Sequence, residues 1–217
     1  MRSAVDLNIR LTKSHYVNEL IVGASRLGFK GIALSCASVE PKLLRALVRD
    51  VGKQHGIDIA IRCDIQGRNP GEVKRALREL RRAYDVVCVS PLNREVARLA
   101  ARDSRVDLIL FTPRLALKMF DKTQAKMMAD NGVAVEIPFN LYLNVKSLEL
   151  GLRALINIVR LSTRYGCMIV VSSYASKPSE LRSPIELSSL IPAVGGGEEL
   201  GVLSVSKYPS IILRRRT

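Results

Sequence analysis

Tryptophan is absent from this chain of 217 residues, and aromatic residues make up only 5% of it. Proteins that bind single-stranded nucleic acid mainly by base stacking need exposed aromatic side chains, so the composition argues against that class. Histidine occurs only twice, at His15 and His55. Both positions fall in predicted helices, and two histidines are too few for a histidine-rich metal cluster.

Paired cysteines and long apolar runs are also missing. The four cysteines never form a CxxC pair, and each lies at or near the end of an apolar run: Cys36, Cys63, Cys88 and Cys167. This placement predicts small buried side chains in a reducing compartment rather than metal or redox sites. No apolar run reaches the roughly 18 residues of a membrane span, and residues 1–6 lack a signal-peptide pattern. We therefore expect a soluble cytoplasmic protein without a membrane partner.

Positive charge is what the composition has in excess. Lysine and arginine number 34 against 20 aspartates and glutamates, which gives a net charge of +14. Such an excess indicates a polyanionic partner, usually nucleic acid. General adaptation to an unusual intracellular environment is another interpretation of the charge. Two successive predicted helices carry basic rows on their outer faces: Lys42, Arg45, Arg49 and Lys53, then Lys74, Arg75, Arg78, Arg81 and Arg82.

Residues 84–113 repeat one pattern twice, with a predicted helix in between. Each copy has an acid, four mainly branched apolar residues, a small hydroxyl residue and a proline, over residues 85–91 and 107–113. Strands that are apolar on both faces belong to sheets covered on both sides, which are usually parallel. The stretch is therefore a β-α-β unit, and recurrence of this unit predicts a wound α/β fold.

Further strands recur along the chain, with helices between them and no linker that would divide it. The seven predicted strands cover residues 3–9, 31–36, 57–62, 85–91, 107–113, 133–137 and 167–173. An eighth could exist only as a stub at 203–205. The sequence thus predicts one α/β domain over residues 1–217, either a wound α/β barrel or an open doubly wound sheet.

The predicted helices include one from about Ser14 to Leu27, capped by Ser14, and a long one from about Val145 to Tyr165. We expect core positions that include Leu43 and Leu47 in the second helix and Leu148, Leu152 and Ile156 in the long one. Two apolar segments, 114–120 and 139–143, lie just beyond strand ends. They are expected to pack on the barrel mouth or against another chain.

The carboxyl ends of the strands, where barrel enzymes keep their active residues, hold hydroxyls and arginines but few catalysts. A metal-dependent barrel hydrolase requires an HxH motif after its first strand, where this sequence has Asp6-Leu-Asn8. Asp64 and Glu136 are explained equally well as a carboxylate pair or as partners of arginines. No catalytic or metal residues are therefore assigned.

Gly195-Gly-Gly197 raises the question of a phosphate cradle at a helix start. Glu198 and Glu199 follow at once and would repel a phosphate, whereas they suit the positive end of a helix. A turn and helix start is the preferred interpretation. What remains is positive charge at strand ends and loops that could contact the phosphates of a folded RNA: Arg62, Arg68, Arg94, Arg114, Lys177 and Arg182.

Three segments carry a resemblance to a known family. They are the repeat with its ARLAARDSRVDLILF core, the run from Ser172 to Leu190 that contains RSPIELSSL, and the ending from Leu203 to Leu213 with basic residues after it. Together they resemble the barrel-shaped protein subunit of ribonuclease P, called component three in archaea and the thirty-kilodalton subunit in eukaryotes. The resemblance covers nearly the whole chain and is strongest from about residue 84.

That resemblance implies a TIM-like barrel that pairs with a small ferredoxin-like protein subunit. Ribonuclease P RNA and precursor tRNA would be its other partners, and the complex removes the 5′ leader of the precursor. Catalysis would come from the RNA and its magnesium ions, with no cofactor bound by this chain. The family's basic positions correspond best to Arg98 and Arg182 and more loosely to Arg94, Arg114 and Lys177, whereas Arg62 and Arg68 rest on position alone.

The competing hypothesis is a free-standing barrel enzyme, either a phosphoesterase or an enzyme acting on a phosphorylated small molecule. Such an enzyme should gather acids or a metal at its strand ends. An RNA-binding subunit should instead show arginine-lined surface and an apolar docking patch, for which segments 114–120 and 139–143 are the candidates.

Overall fold

The computed structural model describes residues 3–12, 16–35, 39–143 and 148–215. Three predictions fall outside these ranges: the cap at Ser14, the buried cysteine at Cys36, and the start of the long helix near Val145. His15 lies outside them as well.

Seven parallel strands form one sheet, and each is paired with the next one along the chain. They are β1 (Val5–Arg10), β2 (Gly31–Ser35), β3 (Asp58–Gly67), β4 (Val86–Pro91), β5 (Leu108–Leu110), β6 (Ala134–Pro138) and β7 (Ile169–Ser172). The predicted strands are thus found, and the TIM-like barrel class is confirmed. β3 runs five residues beyond its expected end at Arg62, whereas β5 is only three residues long.

Helices follow the strands and form the outer layer. They are α1 (Val17–Arg26), α2 (Pro41–His55), α3 (Pro70–Leu80), α4 (Arg94–Ala100), α5 (Pro113–Met119), α6 (Lys122–Asp130), α7 (Phe139–Leu143), α8 (Leu148–Tyr165), α9 (Pro184–Ala193), α10 (Glu198–Val205) and α11 (Lys207–Arg214). Pro113 begins α5 rather than merely ending a strand, because proline fits the first helical turn without losing a hydrogen bond.

The strands are buried on both faces and divide the apolar residues into two cores. Inward side chains such as Leu7, Ala60 and Val170 form a small cluster inside the barrel. The alternate residues of the same strands pack outward against the helices in a larger cluster. This arrangement explains why the strand sequences are continuously apolar.

The repeated acids of residues 84–113 anchor the end of the barrel where the strands begin. Asp85 accepts the backbone N–H of Ile61 at 2.7 Å and a guanidinium N–H of Arg45 at 2.5 Å. Asp107 repeats this arrangement, with a backbone N–H of β4 at 2.8 Å and Arg81 at 2.5 Å. Each acid therefore ties a helix to two neighbouring strands, which is the structural reason for the repeated pattern.

The seam between β1 and β7 is closed by a short contact and by a helix. Near the carboxyl ends of these strands, the N–H of Arg10 donates to the carbonyl of Ala175 at 2.7 Å. Elsewhere α11 contacts both strands, and its Ile212 and Leu213 join the cluster inside the barrel. A helix therefore takes the place of an eighth strand. The suggested stub at 203–205 is wrong, because those residues belong to α10.

Several predicted core positions are instead exposed. Leu43 and Leu47 are 61% and 59% accessible, since they lie on the outer side of α2. Leu148, Leu152 and Ile156 also lie on the solvent side of α8. When a helix has apolar residues on two faces, its sequence does not reveal which face packs on the sheet. The periodicity therefore predicted more core residues in α2 and α8 than the structure contains.

Both apolar segments beyond the strand ends pack within the chain. Met119 and Phe120, in and after α5, are buried, and α5 lies against α8. Tyr142 of α7 is fully buried, and its hydroxyl donates to the carbonyl of Phe111 at 2.8 Å. Packing on the barrel therefore accounts for most of their apolar side chains, and Leu117 is the large one that is left exposed.

Candidate nucleic-acid interface

Arg62 occupies the middle of the barrel mouth and is entirely buried. Its guanidinium donates to both carboxylate oxygens of Glu136, at 2.9 and 2.6 Å, and to Asp64 at 2.7 and 2.9 Å. A further bond goes to the carbonyl of Leu7 at 2.7 Å. This geometry argues against the predicted contact between Arg62 and RNA, since a side chain with 0% exposure has no surface to offer a phosphate.

The two mouth carboxylates are occupied by this arginine and its neighbours. Glu136 also accepts from Asn8 at 2.9 Å and from the Ser172 hydroxyl at 2.6 Å, while Asp64 accepts from Ser35 at 2.5 Å. Burial would raise the pKa of Asp64, but the charge and hydrogen bonds of Arg62 outweigh it and hold the pKa below its usual value. Asp64 and Glu136 had two interpretations, a carboxylate pair or partners of arginines. The geometry supports the second, because both acids bond to Arg62.

Arg62 is fixed in its charged form by the same contacts. Burial alone would lower its pKa, yet the negative charges of Asp64 and Glu136 raise that pKa well above its ordinary value. Across the described residues, no three histidine, cysteine, aspartate or glutamate side chains come together in a way that could hold a metal ion.

Asp6 is a second buried acid of the mouth, at the seam between β1 and β7. It accepts the backbone N–H of Ser173 at 3.1 and 3.3 Å and that of Asn8 at 3.1 Å. Burial is the largest influence on this carboxyl and raises its pKa to about 6, with a smaller contribution from the negative charge of Glu136. Asp6 thus joins the first and last strands through backbone amides.

Tyr174 lies near this network, and sequence reasoning missed it. Its backbone has φ of 61°, in the left-handed region that residues other than glycine seldom adopt. The half-buried ring packs against the barrel interior, and the guanidinium of Arg10 lies 4.5 Å from the ring centroid. A left-handed tyrosine leaves no signal in a single sequence, and here it directly precedes Ala175, which forms an isolated bridge to Ile9 of β1.

Arg94 and Arg98 are held mainly by one acid. Arg98 donates to both oxygens of Asp121 at 2.7 Å and to Gln124 at 3.0 Å, and Arg94 also bonds to Asp121. Burial alone would raise the pKa of Asp121, but the hydrogen bonds from Arg98 outweigh this effect and hold the pKa below its usual value. These contacts tie α4 to the start of α6, while the side chain of Arg94 stays 55% exposed.

Lys177 and Arg182 flank the mouth on the segment after β7. The ammonium of Lys177 lies 3.6 Å from a carboxylate oxygen of Glu180, in a pair whose lysine is exposed and whose glutamate is half-buried. Arg182 lies over the ring of Phe139, with 5.7 Å between guanidinium and centroid, and donates to the carbonyl of Leu181 at 2.8 Å. Both side chains therefore reach the surface in fixed positions, but groups of this chain already take up part of their capacity for ion pairs and hydrogen bonds.

Arg68 and Arg114 are the most available of the predicted cations. Arg68 follows β3 and Arg114 is in the first turn of α5, and both are exposed. Within the described part of the chain, neither of them forms a salt bridge to a carboxylate. A guanidinium in this state keeps its donors for phosphate oxygens.

The glycine run has a structural explanation. Gly195 has φ of +88°, and Gly196 passes so close to Ile191 that a Cβ atom there would lie 2.4 Å from that side chain. Gly197 precedes α10, whose first turn carries Glu198 and Glu199. The turn and helix start is confirmed.

The fold and the mouth together define a barrel with cations on its rim and its carboxylates tied to an internal arginine. A family model described as RNase P subunit p30 matches residues 3–217, so this chain belongs to that family. Ribonuclease P protein component 3 of Aeropyrum pernix is 30% identical over 88% of this chain and 87% of its own length. The same component of Methanothermobacter thermautotrophicus is 29% identical, over 89% of this chain and 82% of its own.

A solved structure agrees at the level of the fold. One chain of the cryo-EM structure of archaeal ribonuclease P with mature tRNA superimposes with a TM-score of 0.82. That match covers 97% of this chain and 90% of the other, at 16% sequence identity. No described helix is both long and apolar enough to cross a membrane.

Proposed function

We propose that this chain is a protein subunit of ribonuclease P that holds the catalytic RNA and supports removal of the 5′ leader from precursor tRNA. Family membership and the names of the relatives support this role. The observation that carries it is the chemistry of the mouth, where Asp64 and Glu136 are bonded to Arg62. Acids used in this way are poor candidates for proton transfer, so catalysis falls to the RNA and its magnesium ions.

The RNA contacts proposed here are the members of the predicted set that reach the surface, of which Arg182 is half-buried and the others are exposed. Arg68 and Arg114 keep their donors available, while Arg94, Lys177 and Arg182 reach the surface from fixed positions. Arg98 acts mainly by orienting this surface, because its guanidinium is spent on Asp121 and Gln124. Cations held in place lose less conformational entropy when they meet a phosphate.

Reconstitution tests this role. Precursor-tRNA cleavage is measured with ribonuclease P RNA and its other protein subunits, with and without this chain, and then with Arg114→Ala and Arg182→Ala. We expect cleavage at low magnesium to depend on the chain and to fall in both variants. Cleavage that is unchanged when the chain is left out would remove the proposal. Hydrolysis of a phosphoester by the isolated chain would favour the rival enzyme hypothesis.

A small ferredoxin-like subunit is the protein partner we propose, as the family resemblance implies. The outer face of α8 supports such a contact, because Leu148, Leu152 and Ile156 recur every four residues on it and remain exposed. An apolar stripe of this kind is typical of protein interfaces. Leu152→Glu should abolish co-purification with that subunit, whereas Leu43→Glu on α2 should not. Equal retention of the partner by both variants would exclude this surface.

A further inference from the structure

We propose that the outer wall of the barrel at α2 and α3 is a second RNA-binding surface, which contacts phosphates away from the mouth. This inference rests on the proposed function, since it names a further surface for the same RNA. The surface is called the basic flank. Its members are Lys42, Arg49 and Lys53 of α2, and Arg75, Arg78 and Arg82 in and just after α3.

The spacing of these residues gives each helix a basic edge. Arg49 and Lys53 are one helical turn apart, as are Arg78 and Arg82, and residues three or four apart are neighbours on a helix surface. The buried side of α2 is formed by Leu44, Val48 and Gly52, so the basic edge lies to one side of it. All six flank residues are exposed.

One arginine in each basic row is bonded to a buried or half-buried acid of the barrel, and these bonds set the orientation of the helix that carries the row. Arg45 of α2 and Arg81 after α3 reach inward to Asp85 and Asp107, each at 2.5 Å. These two therefore anchor their helices, and the rest of each row is directed to solvent. In the described structure none of the six flank residues forms a salt bridge, although Glu72 and Glu79 of α3 and Asp50 of α2 are on the same outer layer.

The flank also has a concave shape beside α2. An open groove of about 400 Å³ is lined by three cations, Arg45, Arg49 and Lys53, and by residues 56–59, which include the acid Asp58. A groove in which cations outnumber acids raises the local positive potential more than the same charges on a flat surface. The phosphate backbone of a folded RNA is the ligand class that this combination of shape and charge favours.

The mouth alone leaves much of the positive charge unexplained. Arg62 is neutralised inside the barrel, Arg94 and Arg98 share Asp121, and Lys177 lies near Glu180. The flank has the opposite balance, because its cations outnumber its acids and remain open to solvent. A large net charge on a protein costs self-repulsion, which binding to a polyanion relieves.

The experiment compares two double variants of the full chain that remove the same charge. Arg49→Gln with Lys53→Gln alters the flank, and Lys122→Gln with Lys126→Gln alters two exposed lysines with the same spacing on α6. Affinity for ribonuclease P RNA is measured as a function of potassium chloride concentration. Each lost phosphate contact should reduce the slope of log K against log salt by about 1.

We expect the flank variant to bind about tenfold more weakly and to lose about 2 from the slope, and the α6 variant to match the wild type. Equal effects from both variants would show a response to net charge alone and overturn the proposal. So would an unchanged slope in the flank variant. In that case, a loss of affinity in Arg68→Gln with Arg114→Gln would leave the proposed function standing. RNA binding by none of the chains would overturn both.

Discussion

The mouth of the barrel and its basic flank contain the same kind of side chain in opposite surroundings. At the mouth, Arg62 is buried between Asp64 and Glu136 and serves the fold. On the flank, Arg49 and Arg78 extend into solvent with no described carboxylate in salt-bridge range. Net charge therefore does not say which cations can bind a partner, because burial and internal pairing decide it.

The largest expected effect is a loss of stability when the buried arginine of the mouth, Arg62, is replaced. Arg62→Ala leaves the carboxylate of Glu136 buried without its ionic partner, so we expect a loss of roughly 3–5 kcal/mol in the free energy of unfolding. Urea unfolding measures it, with Arg94→Ala as the control. That exposed arginine should cost less than about 1 kcal/mol. A loss below 1 kcal/mol for Arg62→Ala would mean that the network does not hold the mouth.

The pH dependence of stability probes the second buried acid of the mouth. The pKa of Asp6 is raised by burial to about 6 from 3.8, so the folded state binds a proton more tightly than the unfolded state does. This contribution therefore favours folding below about pH 4 and is lost as the pH rises to about 6, by up to about 3 kcal/mol. The negative charge of Glu136 acts in the same direction.

Asp6→Asn isolates that contribution, because other carboxyls titrate in the same range with the opposite sign. Asp64 is one of them, since its pKa is lowered. The difference in unfolding free energy between wild type and variant should change steadily between about pH 4 and 6, with the variant gaining on the wild type. A difference that is constant over this range would show that Asp6 ionises as it does in the unfolded chain.

Two arginines of the same basic row should separate anchoring from binding. Arg81→Gln breaks the contact with the buried Asp107, and we expect a loss of about 1–3 kcal/mol in unfolding free energy. Arg78→Gln, one turn away on the exposed edge, should stay within about 0.5 kcal/mol and weaken RNA binding instead. Thermal or urea unfolding together with an RNA titration checks both. A similar loss of stability in each would mean that the row is not divided in this way.

The fold could be predicted from the sequence because its strands are apolar on both faces and recur at regular intervals. The repeat also identified Asp85 and Asp107 as equivalent, although their bonds to Arg45 and Arg81 became visible only with the helices in place. Local patterns of this kind depend on neighbours in the chain, which a single sequence contains.

The candidate site was harder to predict, and Arg62 shows why. The expected strand ended at this residue and so placed it on the rim, whereas β3 continues to Gly67 and puts its side chain inside the barrel. Its position two residues after the inward Ala60 was the available signal, since alternate residues of a strand share a face. The pairing of Arg98 with Asp121 and the backbone of Tyr174 depend on contacts between distant segments, which no local pattern contains.

Chemical protection of lysines compares mouth, flank and control surface in one measurement. The chain is acetylated alone and in complex with ribonuclease P RNA, and the modification of each lysine is measured by mass spectrometry. We expect protection of Lys177 at the mouth and of Lys42 and Lys53 on the flank, with Lys122 and Lys126 on α6 equally reactive in both states. Uniform reactivity of all five lysines, or protection confined to α6, would contradict this expectation.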